Sequence, residues 1–440
     1  MNVLNRNINN IFYLFALSHL IIWTFVPSIT NNNLPLDVIE ALAWGSNLDW
    51  GFSKHPPGSA FFPEMFFQIF GAQDWAFYLL SQIFIIISFY YVFKLSNIIL
   101  SDIKLSLISV LLLESLFYYN FTSPEFNVNI CQLPFWSLVV YYSWIIYSNK
   151  EIKFFDCFLI GLFAAIGFLS KYLFIYLLIS LVFLFIYSIF YKRNIKFNFK
   201  YLISIEIFLV LLVPHLIWLY ENNFITVLYG LKRSGFETYN FFNHLKYPFI
   251  FLLKQIMLLI PFTFLFWLLI KRFEFKINKK DKKLIFLIFV TILPIFLIFA
   301  TSLITGSRIR TMWMAPFYLF FGLLLVYLFK SQINLKKLNS FLYGFLFLFF
   351  LSPALYGYIS ITQTNKRTDY PGKEIASKVQ ITWDQEFEKE IEFVTGDEWK
   401  AGNLSYHLKS RPRWEGNNNN EILNRSSQFI CVDDICLGRY

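Results

Sequence analysis

The sequence predicts an all-α polytopic membrane protein of about eleven transmembrane helices, with a small α/β domain on its outer face at the C-terminal end. Three observations carry this. Of the 440 residues, 57% are hydrophobic and only 15% charged, with a mean hydropathy of +0.53, whereas soluble domains are about one-quarter charged. Apolar runs near the length that spans a bilayer, about 20 residues, recur along the chain. After residue 359 the composition turns polar, with Asn417 to Asn420 in a row between short apolar stretches such as Phe393-Val394 and Phe429-Ile430-Cys431-Val432.

The spans fall near 11–29, 76–94, 104–121, 128–147, 155–169, 171–190, 201–219, 247–270, 284–302, 313–329 and 340–359. The first apolar run lacks a small-residue cleavage pattern and reads as a retained span. Orientation follows from the cations. Arg6, Lys150, Lys153, Lys192, Arg193, Lys196, Lys200, Lys271, Arg272, Lys276, Lys279, Lys280, Lys282, Lys283, Lys330, Lys336 and Lys337 gather in alternate connections. The N-terminus is therefore expected in the cytoplasm and residues 360–440 outside. The membrane domain is then 1–359, with a first outer loop at 30–75. The net charge of +10 is mostly a topology signal and points to no nucleic acid.

The first outer loop is long for a connector. Residues 36–46 read as a short amphipathic helix that places Asp37 and Glu40 on one face. Neighbouring carboxylates repel, which raises one pKa and prepares a proton acceptor; the plain alternative is a capping Asp37 and a solvated Glu40. Next, Pro56 and Pro57 stiffen the backbone after Lys54 and His55, a pair able to donate to a phosphate. The second outer connection carries Glu125, Asn127 and Asn129. Lys171 sits alone in a tight outer turn, on the side depleted of cations; it either snorkels or meets an anionic ligand. Arg308 and Arg310 share the fifth outer connection. Glu114, Glu206 and Lys254 lie in or near spans without an assigned role. Cys431 and Cys436, with four residues between them, are either a disulfide permitted by an oxidising compartment or two free thiols. Cys131 and Cys157 read as small core residues, and no spacing matches a structural zinc site.

These segments resemble the GT-C glycosyltransferases that use lipid-phosphate sugars, nearest to bacterial relatives of the protein mannosyltransferases and of the lipid A aminoarabinose transferase. The matching pieces are Asp37-x-x-Glu40, Lys54-His55-Pro56-Pro57, Glu125-Phe126-Asn127, Gly167 to Tyr172, Arg310 to Trp313 and Gly396-Asp397-Glu398-Trp399. The family often has Asp directly followed by Glu; here two residues separate them, so either carboxylate fills the base position. The resemblance implies a polyprenyl-phosphate sugar donor at the outer face of the bacterial inner membrane. It implies attack with inversion by an envelope acceptor (lipid A, another glycan or a protein hydroxyl) and release of polyprenyl phosphate. On that reading Asp37 is the base, Glu40 and Glu125 support it, and Lys54, His55, Lys171, Arg308 and Arg310 bind the phosphate. No cofactor is required; paired carboxylates leave room for a divalent metal that no spacing indicates. A transporter of lipid-linked sugars is the competing class, but the polar groups cluster on outer loops and no internal repeat of the transporter kind is visible. An inactive scaffold leaves the first loop unexplained.

Overall fold

The computed structural model describes residues 3–149, 151–192, 195–235, 240–274, 278, 280–417, 420–432 and 434–440. Lys150, Arg193, Lys276 and Lys279 of the cation-rich connections, and Asn418 and Asn419 of the asparagine run, lie outside the described residues. The chain opens with α1 (Val3–Thr30), then two short helices α2 (Leu36–Gly45) and α3 (Gly58–Phe70), then the long α4 (Asp74–Leu100). Helix α5 (Ile103–Leu111) passes into two 3-10 turns, Leu112–Ser115 and Phe117–Tyr119, ahead of α6 (Val128–Ser148) and α7 (Phe154–Ser170). A 3-10 turn at Tyr172–Phe174 leads into α8 (Ile175–Ile186), followed by α9 (Lys200–Glu221) and α10 (Ile225–Arg233). After α11 (Asn243–Leu258), α12 (Ile260–Trp267) and α13 (Lys282–Thr305), a 3-10 segment at Thr311–Tyr318 feeds α14 (Phe321–Phe329), and α15 (Leu338–Thr362) closes the bundle.

Among the described residues, seven helices are long and apolar enough to cross a membrane, or nine if two bent pairs each count as one span. The expected eleven is therefore not matched by length and composition. The stretch 104–121 is not one helix: α5 stops after 9 residues and the chain tightens into 3-10 turns. Helix α7, at 17 residues, falls short of a full span. The bends, 42° between α11 and α12 and 51° before α14, divide two more of the expected segments.

Helix α6 is the spine. Its central window is 89% buried at a mean hydropathy of 1.2, against 17% and 2.3 for α9. A helix wrapped by other helices needs no lipid-soluble surface, so the most central span is the least hydropathic. Asn127 caps α6 by accepting from the Asn129 and Ile130 backbone N–H groups at 2.9 and 3.2 Å. The carboxylate of Glu114, left without a role by the sequence, meets His19 Nδ1 at 2.9 Å, both side chains fully buried, and ties α1 to the turn after α5. Glu206 and Lys254 stay on exposed faces of α9 and α11.

The C-terminal part comprises α16 (Gly372–Glu386), α17 (Lys400–His407), the short α18 (Asn420–Arg425) and four strands. These strands are β1 (Phe393–Thr395), β2 (Arg413–Trp414), β3 (Gln428–Val432) and β4 (Ile435–Arg439), in sheet order β2-β1-β4-β3. Strand β1 runs parallel to β2 and antiparallel to β4, which is antiparallel to β3. Cys431 lies opposite Cys436 in the β3–β4 hairpin and the two form a disulfide, which decides between the alternatives left open above. Trp383, Ile391, Val394, Leu404 and Leu437 make the small core.

This domain grips the first loop. Gly402 brings α17 onto α2: a Cβ there would stand 3.0 Å from Ile39 Cγ2 and 3.1 Å from Ala43 Cβ. Arg411 donates to Glu64 Oε2 and to the Leu42 carbonyl, both at 2.7 Å, while its burial is offset by the Glu64 charge. Tyr406 donates to Asp74 at 2.7 Å, and Asn33 donates to Asn403 at 2.8 Å. Removing one partner of a buried ion pair such as Arg411–Glu64 costs about 3–5 kcal/mol.

Candidate active site

One cavity of about 540 Å³ opens where α2, the Lys54–Pro56 turn, the start of α6, the α7–α8 break, α10 and the segment after α13 converge. Asp37, Glu40, Lys54, His55, Asn129, Lys171, Arg233 and Trp313 all line it. Chain segments more than 250 residues apart in sequence thus supply one polar wall each, on a mostly apolar surround.

Helix α2 forms as expected and presents both acids, but in different states. Glu40 Oε1 accepts from Lys54 Nζ at 2.9 Å, and the Lys54 ammonium is shared with the carboxylate of Glu398 from the C-terminal domain. Among the described residues, no side chain hydrogen-bonds or ion-pairs with the Asp37 carboxylate. Its backbone N–H donates to Glu125 Oε1 at 3.2 Å, so a second carboxyl lies directly behind it. Burial pushes Asp37 above its usual range, opposed by the charges of Lys171, Lys54 and Arg233. Glu125 is raised to about 8 by burial and then by Asp37. The nearby cations act on Asp37, whereas the charges acting on Glu125 are negative, so Glu125 is the member of the pair that keeps its proton near pH 7.

Lys171 stands at the break between α7 and α8, in extended conformation. Gly167 permits that break, since a Cβ there would fall 2.3 Å from the Phe174 ring. The ammonium donates to Asn129 Oδ1 and lies 5.3 Å from the Trp313 ring centroid. With only 6% of the residue exposed, burial drives its pKa down to about 7, partly offset by Asp37. Trp313 is held in turn by Tyr118 and Tyr119, whose hydroxyls donate to the Thr311 and Ala315 carbonyls of its 3-10 segment.

Of the other expected residues, His55 joins the cavity wall, while Glu125, Arg308 and Arg310 stand outside its lining. His55 lines the cavity, but burial and the neighbouring cations Lys171, Lys54 and Arg233 lower it to about 3; it brings a neutral imidazole, not a charge. Glu125 sits behind Asp37, outside the cavity lining. Arg308 is exposed and Arg310 half-buried, and neither lines the cavity. Arg310 is lowered by burial and by the charges of Arg233 and Arg308, which makes these three arginines a cationic rim.

Arg233 was missed by the sequence reading. It ends α10, whose Thr226 donates to the Phe52 carbonyl at 2.6 Å and so pins the helix against the first loop. The signal was present: Lys232-Arg233 closes an amphipathic stretch on the side otherwise poor in cations, the argument already applied to Lys171. Among the described residues, no group of three His, Cys, Asp or Glu side chains is arranged to hold a metal ion.

Residues 54–218 match the family model of dolichyl-phosphate-mannose-protein mannosyltransferase. No curated protein matches the chain. Among solved structures it is similar to ArnT from Cupriavidus metallidurans, crystallised bound to undecaprenyl phosphate. That likeness has a TM-score of 0.61 at 12% identity, over 93% of this chain and 85% of that one. The chain therefore has the ArnT-like GT-C fold, and the resemblance read from its motifs is shown by both the family match over 54–218 and the fold.

Proposed function

We propose that this chain is an inverting membrane glycosyltransferase that moves a sugar from a polyprenyl-phosphate donor to a hydroxyl of an envelope lipid, glycan or protein, on the outer face of the bacterial inner membrane. The observation that carries the reading is the contrast between the two α2 acids: Glu40 is ion-paired with Lys54, while Asp37 faces the cavity with no hydrogen-bond or ion-pair partner for its carboxylate among the described residues. The likeness to a protein bound to undecaprenyl phosphate supports a lipid-phosphate donor.

In this mechanism Asp37 takes the proton of the acceptor hydroxyl as its oxygen attacks the anomeric carbon. The bond from that carbon to the phosphate oxygen breaks, and polyprenyl phosphate departs with the electron pair. Glu125, already protonated, keeps a second negative charge away from the incoming oxygen. Lys171, Lys54 and the Arg233 rim face the leaving phosphate, whose charge grows as the bond breaks, so they stabilise the transition state more than the bound donor. The buried Lys171 ammonium does this in a poorly solvated part of the cavity, where its contact is stronger than in water, while Arg233 acts from the exposed rim.

The test is Asp37→Asn. With the protein in proteoliposomes, an undecaprenyl-phosphate sugar as donor and an envelope extract as acceptor, release of undecaprenyl phosphate is expected to fall roughly 10²- to 10⁴-fold, as for loss of a general base. Folding, read by gel filtration, should be unchanged. Transfer near the native rate would remove Asp37 from the mechanism. Movement of the lipid-linked sugar across the vesicle membrane with no covalent product would replace the reading by transport.

A further inference from the structure

We propose that Glu398, from the C-terminal domain, is a positioning residue of the active site that holds the Lys54 ammonium in register for the donor phosphate; the proposal rests on the functional reading above. Lys54 lies between two carboxylates, Glu40 and Glu398, with the three side chains 14–23% exposed. Two negative charges on one ammonium exceed what neutrality requires. One of them is therefore free to be exchanged when an anionic phosphate arrives.

The hydrogen bonds say which one. Among the described residues, Lys54 is the side-chain partner of Glu40. Glu398 also accepts from Trp44 Nε1 and from Ser53 Oγ, each at 3.3 Å. Its backbone is fixed as well: Gly396 takes φ +133°, open to glycine, and the Asp397 carboxylate accepts from the Trp399 and Lys400 N–H groups at 3.0 Å where α17 begins. Glu398 is thus anchored without Lys54, and Glu40 is not. The phosphate displaces Glu40, while Glu398 keeps the ammonium in place. This gives the Gly396-Asp397-Glu398-Trp399 motif a role: glycine and aspartate set the turn that aims the glutamate.

The experiment compares Glu398→Gln with Tyr406→Phe, which removes another contact of the same domain, and with Lys54→Met alone and combined with Glu398→Gln. Two quantities are read: affinity for undecaprenyl phosphate, and transfer kinetics with an undecaprenyl-phosphate sugar. For Glu398→Gln, kcat is expected to fall roughly 10- to 100-fold, the scale of a misplaced group. Affinity for undecaprenyl phosphate should be no weaker, and up to about tenfold tighter, because a negative charge beside the phosphate is gone. In the Lys54→Met background the same substitution should leave kcat unchanged, since that effect passes through Lys54, while any gain in affinity persists; Glu398→Asp should recover part of kcat, and Tyr406→Phe should behave as the native chain. Native kcat in Glu398→Gln, losses that multiply with those of Lys54→Met, or an equal loss in Tyr406→Phe would each overturn the proposal. A native chain that binds undecaprenyl phosphate but transfers no sugar would sink the functional reading instead, and the affinity arm would then decide on Glu398 by itself.

Discussion

Replacing Lys171 by methionine should make the protein more stable and inactive at once. The ammonium is buried, with Asn129 as its hydrogen-bonding partner, and its pKa is lowered from 10.5 to about 7. The sign is fixed by linkage: between pH 7 and 10.5 the unfolded chain holds a proton on this lysine that the folded chain has lost, so stability rises with pH over that window, and below 7 the cost of burying the charge is fully present. Each pH step above 7 returns about 1.4 kcal/mol, so from pH 7 to pH 9 the native chain should gain about 3 kcal/mol relative to Lys171→Met. The methionine itself leaves Asn129 Oδ1 without its donor, a pH-independent cost of about 1–3 kcal/mol. At pH 6.5 the variant should therefore still be ahead by a few kcal/mol, and at pH 9 the two should lie close together. Thermal unfolding in detergent, followed by tryptophan fluorescence at both pH values beside a transfer assay, measures this. Two parallel stability-versus-pH curves would show that Lys171 is not a buried cation, and the account of the phosphate wall would go with it.

Three further outcomes follow from the same geometry. The kcat/KM for donor should fall about tenfold per pH unit above 7 as free Lys171 loses its proton, while kcat falls only at higher pH because bound phosphate holds the proton on; Lys171→Arg should abolish that descending limb. Glu125, raised to about 8, binds its proton more tightly folded than unfolded, so native stability should decline as pH rises from about 4.5 to 8. In Glu125→Gln that decline should flatten with most transfer retained, and a variant losing as much activity as Asp37→Asn would put Glu125 in the chemistry. Cys431→Ser opens a short loop, worth about 2 kcal/mol in the chain-entropy view, and should lower the unfolding temperature of the C-terminal domain without slowing transfer.

Much of this was legible beforehand, for identifiable reasons. The acids of α2, Lys171 and the Lys54-His55-Pro56-Pro57 turn stood out because polar groups beside apolar spans are costly and rare. What one sequence does not carry is pairing. Nothing near Lys54 says that Glu398, 344 residues later, will share its charge, or that Arg233 will reach the cavity wall when Arg308 and Arg310 do not. The protonation state of His55 is hidden for the same reason, because it is set by burial and by three surrounding cations that make protonation unfavourable. The broken stretch 104–121 looked like a helix because hydropathy counts residues and is blind to the 3-10 turns that tighten it.

The shared cavity imposes a parity on the chain. Asp37, Asn129, Lys171, Arg233, Trp313 and, through Lys54, Glu398 all border the same space, and on the proposed function all of them stand on one side of a bilayer. The chain must then make an even number of crossings between each one and the next. Helix α4 leaves that side after Asp37, and only the irregular stretch 103–121 is available to bring the chain back before Asn129. Helix α6 leaves again, and the short α7 has to return it to Lys171. The two segments that look least like membrane spans are thus the ones left to act as return strokes.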